Sequence, residues 1–337
     1  ISGGTFGSDF DARSGSVVNI TGGSVGERFD APVNATLNIE GGSLEAYAGA
    51  VQSEVNISGG NVGSFYKAYS NSVVNITGGD VGSNFEVTDS VVNIIGGNVG
   101  SSFEAGSGSE VNIIGGSVGE FFLADNGSVV NISGSSVSDH FVANSGSLVN
   151  INGGNVGDHF LARSESLVNI INGSVGRLFF TDFGSVVNIS GGNVGSEFTA
   201  TLGSLVNISG GTVGNEFLAL PGSEVNLLGT EFLLDGVLLE SLVPGEAFTI
   251  TERYVTLSGL LADGTPFNFD LNGTSTSGED FFDLGATLTV TLLAEGDYDR
   301  DGDVDSDDLL VWQQHYGMTG SGLAADGNND GTVDAAD

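Results

Sequence analysis

An asparagine recurs along this chain at Asn19, Asn38, Asn56, Asn75, Asn93, Asn112, Asn131, Asn150, Asn169, Asn188, Asn207 and Asn226, at spacings of 19 residues nine times and 18 twice. A period this regular and this close to twenty predicts a solenoid, in which each unit is one coil and buries its apolar face only against its neighbours. The unit reads G-S-x-V-N-I-x-G-G-x-V-G-x-x-F-x-A. Val18 and Ile20 flank Asn19 with the alternation of a strand buried on one face, and Val25 returns inward after the Gly22-Gly23 turn. Short strands between glycine turns exclude helices. The expected fold is all-β: a parallel β-solenoid of about twelve 19-residue coils over residues 1–228.

Two further columns carry the same period. One is aromatic: Phe10, Phe29, Tyr47, Tyr66, Phe85 and onward to Phe217. The other is small, and includes Ala12, Ala31, Ala68, Ala105 and Ala124. At apolar parity, both are expected in the core. The asparagine column has three readings. It is an amide hydrogen-bond ladder between coils, a plain outward polar position, or in part a set of glycan acceptors. Asn19, Asn56, Asn75, Asn131, Asn188 and Asn207 lie in N-I-S/T sequons, and Asn34, Asn126, Asn172 and Asn272 in others. Asn93, Asn112, Asn150 and Asn169 keep the amide without the hydroxyl two residues on. Structure, rather than modification, therefore accounts for the repeat.

The period stops at Gly229. Residues 229–295 read as antiparallel strands with turns, among them Phe248-Thr249-Ile250 and Thr287 to Thr291. They form either a β-rich cap over the last coil or a small separate domain.

Beyond them lies the clearest chemical pattern. Asp297, Asp299, Asp301, Asp305 and Asp308 place oxygen ligands at positions one, three, five, nine and twelve of a loop. Gly302 sits at the sharp turn, the Asp303 carbonyl completes the shell, and Val304 is the expected apolar anchor. Asp326, Asn328, Asp330, Thr332 (through its carbonyl), Asp334 and Asp337 repeat the offsets. Two Ca²⁺ ions are expected. Residues 296–337 resemble a type I dockerin: two calcium loops, the first followed by a helix at about 307–316, with Leu309, Leu310 and Trp312 as its apolar contacts. The resemblance implies a cohesin-like partner and attachment of a secreted protein to a surface. The chain departs from the family where Ser306-Asp307 and Ala335-Ala336 stand in place of a Ser-Thr pair, and in ending at the twelfth residue of the second loop. The Gly/Asn/Ser coils also resemble those of bacterial surface and adhesin β-helix proteins.

Charge narrows the function. Seven Lys+Arg against 43 Asp+Glu give a net charge of −36. This disfavours nucleic acids and anionic membrane surfaces as partners. No apolar run is long enough to insert in a bilayer, and the absence of cysteine excludes thiol chemistry. The chain opens in mid-repeat, so an upstream segment is expected. The basic residues Arg13, Arg28, Lys67, Arg163, Arg177, Arg253 and Arg300 are scattered, and no coil carries an inserted loop to wall a cleft. No enzyme is expected. One local coincidence remains: Asp139-His140 and Asp158-His159 stand 19 residues apart and should stack. They form either a weak transition-metal candidate or an ordinary polar column. These features predict a secreted matrix or cell-surface protein, a structural subunit self-associating into fibres. The alternatives are a glycan-binding adhesive module and a polysaccharide-active β-helix enzyme.

Overall fold

The computed structural model describes residues 1–294, 296–299, 304–320, 325 and 332–334. The repeat folds as its alternation requires. In the coil strand Val73–Ile76, Val74 and Ile76 are buried while Val73 and Asn75 face outward. The strand pairs in parallel with Val91–Ile94, Asn75 opposite Asn93 and Ile76 opposite Ile94. The same register recurs from coil to coil, Asn112 on Asn131 and Asn131 on Asn150. The V-N-I strands and the short strands after them stack into one long sheet, and the F-x-A segments stack into a second sheet of twelve strands.

Between the sheets runs the aromatic column. The rings from Phe85 to Phe217 lie face to face with centroids 4.6–5.1 Å apart, the spacing set by the coil rise. All are fully buried. Tyr47 is the exception to the expected column. It is exposed and stacks on Phe65 at 4.9 Å, while Ala48 occupies the core site. Asp30 pairs with Gly49, so the residue after Phe29 in the column is Ala48. A one-residue slip reverses the side chain's face.

Corners are closed by two devices. Ser128 and Ser147 donate their hydroxyls to Asp125 O and Asn144 O three residues back, at 2.6 and 2.7 Å. The residue before each core aromatic takes a left-handed backbone, with φ near +60° in Arg28, Ser102, His140 and Glu197 alike. This costs a non-glycine residue about 1–2 kcal/mol. It turns the N–H toward the next coil, as in His140 N–H to Asp158 O at 2.8 Å. In the bend after the V-N-I strand, Gly173 has φ +84°, and a Cβ there would meet Gly154 O at 2.6 Å.

Residues past Gly229 close the last coil, and two of their strands correct the antiparallel expectation. Phe281–Phe282 lies in parallel register on Leu218–Ala219, and Thr287–Leu292 lies in parallel on 224–229. Together they form a thirteenth rung, because only a parallel strand continues the coil registers. Around it, Thr256–Leu261 pairs antiparallel with both Glu224–Leu234 and Pro266–Asp270, and Ala247–Thr249 pairs antiparallel with the added rung. Phe269 and Phe282 meet Phe217 edge-on at 5.5 and 5.3 Å and end the ring stack. Arg253 ties this cap together, donating to the carbonyls of Ile250, Glu252, Phe282, Asp283 and Ala286 at 2.8–3.3 Å. One hydrophobic core runs from Ala12 to Val290.

Candidate functional site

The C-terminal segment builds its site around a helix terminus. Ser306–His315 is α-helical. Asp305 caps it, its carboxylate accepting from Asp307 N at 2.8 Å, and Asp308 accepts from Asp305 N at 2.7 Å in return, a reciprocal capping box. The other Asp308 oxygen accepts from Tyr298 N at 2.6 Å and Asp299 N at 3.0 Å. Position twelve of the first loop is thereby drawn back onto positions one to three. Ligand oxygens of Asp297, Asp299 and Asp308 lie within 4.8 Å of one another.

Burial alone would raise the Asp308 carboxyl, but the N–H donors of Asp299, Asp305 and Tyr298 outweigh it and hold the group below its ordinary value. Asp297 and Asp308 are both buried. Like charges this close repel one another. The donors are all carboxylate oxygens, a set that suits a hard ion such as Ca²⁺ and not a soft one. Asp301 and Asp303 lie outside the described residues.

Of the second loop, Asp326, Asn328, Asp330 and Asp337 also lie outside the described residues. Thr332 and Asp334 are placed. Thr332 bridges to Thr319, Val333 N–H donates to Met318 O at 3.0 Å, and Gly317 N–H donates to Val333 O at 2.7 Å. Trp312 Nε1 donates to Asp334 O at 3.2 Å. Residues 332–334 are thus joined to the helix and to the residues just after it. Three expected apolar contacts are corrected here. Val304, Leu309 and Leu310 are each more than half exposed, whereas Val333 is buried. The helix turns Asp308 inward rather than a leucine, because the capping box and the three backbone donors fix its rotation.

On the rod, the asparagine column is the amide ladder. Each Nδ2 donates to the preceding Oδ1, from Asn38 to Asn19 at 2.7 Å through Asn150 to Asn131 at 2.9 Å and on to Asn226 with Asn207 at 3.0 Å. The Thr289 hydroxyl donates to Asn226 Oδ1 and ends it. The ladder holds the amides of the sequon residues Asn19, Asn56, Asn75, Asn131, Asn188 and Asn207. Asn34, Asn126 and Asn172 are exposed, and Asn272 donates to Asp280 O at 3.2 Å.

The Asp-His pairs stack as their spacing predicts, but the four side chains do not converge. The His140 and His159 rings lie face to face at 4.7 Å, with Phe121 on the other face of His140. Asp139 and Asp158 instead accept from the backbone N–H of Asp158 and Arg177, at 2.9 and 2.8 Å. Three of the cations are paired along the rod, Arg28 with Asp9, Lys67 with Glu86 and Arg177 with Glu197. Arg253 is held in the cap.

No protein-family model matches the chain. No curated protein matches it. Among solved structures it is similar to the crystal structure of the TibC-catalysed, hyper-glycosylated TibA55-350 fragment, at 17% identity over 66% of this chain and 88% of that one, with a TM-score of 0.34. The solenoid fold rests on the coil registers and not on that likeness. No helix among the described residues is long and apolar enough to cross a membrane.

Proposed function

We propose that the chain is a structural rod of the cell surface or extracellular matrix, a fibre subunit whose C-terminal module is clamped by calcium. The observation that carries this reading is the continuity of its columns. The same amide ladder passes through every coil and into the cap, and the ring stack ends on it. The repeat therefore builds a rod of coils in one register, with no inserted loop among the coils from Val18 to Val225 to shape a cleft. A net charge of −36 keeps such rods apart until salt or a divalent cation screens it. Asp297, Asp299 and Asp308 would hold the first ion, together with Asp301, Asp303 and Asp305 of the same loop. The ion would neutralise the buried carboxylates at the start of the helix. Calorimetric titration with calcium, followed by negative-stain electron microscopy of the same samples, tests both parts. Two ions bound per chain and fibres that revert with chelator support the reading. Rods of constant length in both conditions sink the fibre, and an absence of binding heat sinks the clamp.

A further inference from the structure

The ladder does not end on a flat wall. Where its last rungs pass beneath the cap, the overhanging segment 245–247 and the solenoid enclose a groove of about 710 Å³. Its floor carries Asn188, Asn207 and Asn226, flanked by the hydroxyls of Ser190, Ser209 and Thr291. An amide side chain offers two N–H donors and two acceptor lone pairs. Asn226 spends both of its N–H donors, on Asn207 and Glu224, and one lone pair on Thr289. Asn188 and Asn207 each spend one N–H and one lone pair on the ladder. Each keeps one donor and one acceptor directed off it, repeated at the coil step of ~4.8 Å.

The chemistry of the lining is narrow. It contains no Lys, Arg or His and one carboxylate, Glu224, in a chain of net charge −36. An anionic ligand finds no partner there. A peptide added to the Ala247–Thr249 edge would need apolar pockets for alternate side chains, and the floor presents the same amide at successive rungs. A sugar hydroxyl is donor and acceptor at once, which matches one free N–H and one free lone pair per rung. We propose that this groove binds a neutral oligosaccharide lying along the ladder axis, its hydroxyls paired with Asn188, Asn207 and the flanking Ser and Thr hydroxyls. The site stands independently of calcium binding and of fibre formation.

The experiment titrates the full chain with neutral cello-, xylo-, manno- and chito-oligosaccharides, with an oligogalacturonate as the acidic control and an extended uncharged peptide as the strand-adding control. Two variants fill the groove. Ala247→Trp enlarges an exposed cap residue, and Ser190→Trp enlarges an outward position whose column holds the exposed Ile95, Ile114 and Ile171 in other coils, so both are expected to fold. Circular dichroism and melting temperature check this, and either folded variant suffices. The proposal expects saturable binding of at least one neutral oligosaccharide, weakened about tenfold or more in the variants. It is overturned if no neutral oligosaccharide binds at millimolar concentration. Binding that survives the filling, or a preference for the acidic sugar or the peptide, overturns it equally.

Discussion

At the scale of single residues, the molecule is decided by what each outward polar group does for the coil beside it. Asn131 makes two ladder bonds, to Asn112 at 2.8 Å and from Asn150 at 2.9 Å. Each partly buried amide bond contributes about 1 kcal/mol. Asn131→Ala should therefore lower the unfolding free energy by about 1–2 kcal/mol in urea titrations. Asn131→Asp should cost more at neutral pH, since a carboxylate has no hydrogen for the Asn112 oxygen. Asp280 plays a different part, its carboxylate accepting from Phe217 N at 2.9 Å at the end of the last coil. Burial raises its carboxyl above the ordinary 3.8, with the N–H donors of Phe217 and Asp270 pulling back only in part. The folded state thus holds a proton that the unfolded chain releases first. The associated stability is present at low pH and is lost as pH rises from 3.8 through the folded value. Asp280→Asn removes this dependence, so the variant should gain on the wild type as pH rises through that window. A stability difference that stays flat with pH would contradict the assignment.

At the scale of elements, the coils were legible in the sequence because parity and period act together. Val74, Ile76 and Phe85 fall inward for reasons local to each strand. Tyr47 shows where such reading slips. Its aromatic character suggested the core, but the coil register seats Ala48 there, and the left-handed turn sends Tyr47 outward. The thirteenth rung was hidden for another reason. Thr289 bonds to Asn226 across 63 residues, so the period is broken by an insertion rather than ended. The trace was present nonetheless: Phe281-Phe282-Asp283-Leu284-Gly285-Ala286-Thr287-Leu288 follows the spacing of Leu218-Ala219-Leu220-Pro221-Gly222-Ser223-Glu224-Val225. The nearness of Asp297, Asp299 and Asp308 was readable from their spacing, while the exposure of Val304 and Leu309 was not, because it depends on how the capping box rotates the helix. The cap's dependence on one guanidinium also lay beyond sequence reading. Arg253→Ala leaves five carbonyls to find water. Hydrogen exchange should then quicken in residues 245–290 while the coils from Val73 to Ala200 keep their protection. Uniform loss of protection along the rod would contradict a role confined to the cap.

At the scale of the whole molecule, everything rests on coils stacked in one unbroken register. Each coil contributes one rise, so distance along the rod should be additive in coil number. Glu54, Glu110 and Glu224 are exposed members of one outward column. Glu110 and Glu224 are linked through Val129, Leu148, Leu167, Val186 and Leu205, which is six coil steps. Glu54 and Glu110 are linked through Val73 and Val91, which is three. The chain has no cysteine of its own, so paired cysteines at these sites take spin labels cleanly. Electron–electron distance measurement is the most direct test of the stacked register. The account predicts narrow distributions centred at about 29 Å for Glu110→Cys with Glu224→Cys and about 43 Å for Glu54→Cys with Glu224→Cys, from six and nine steps of ~4.8 Å. Broad distributions, or centres whose separation differs from three coil rises, would contradict it.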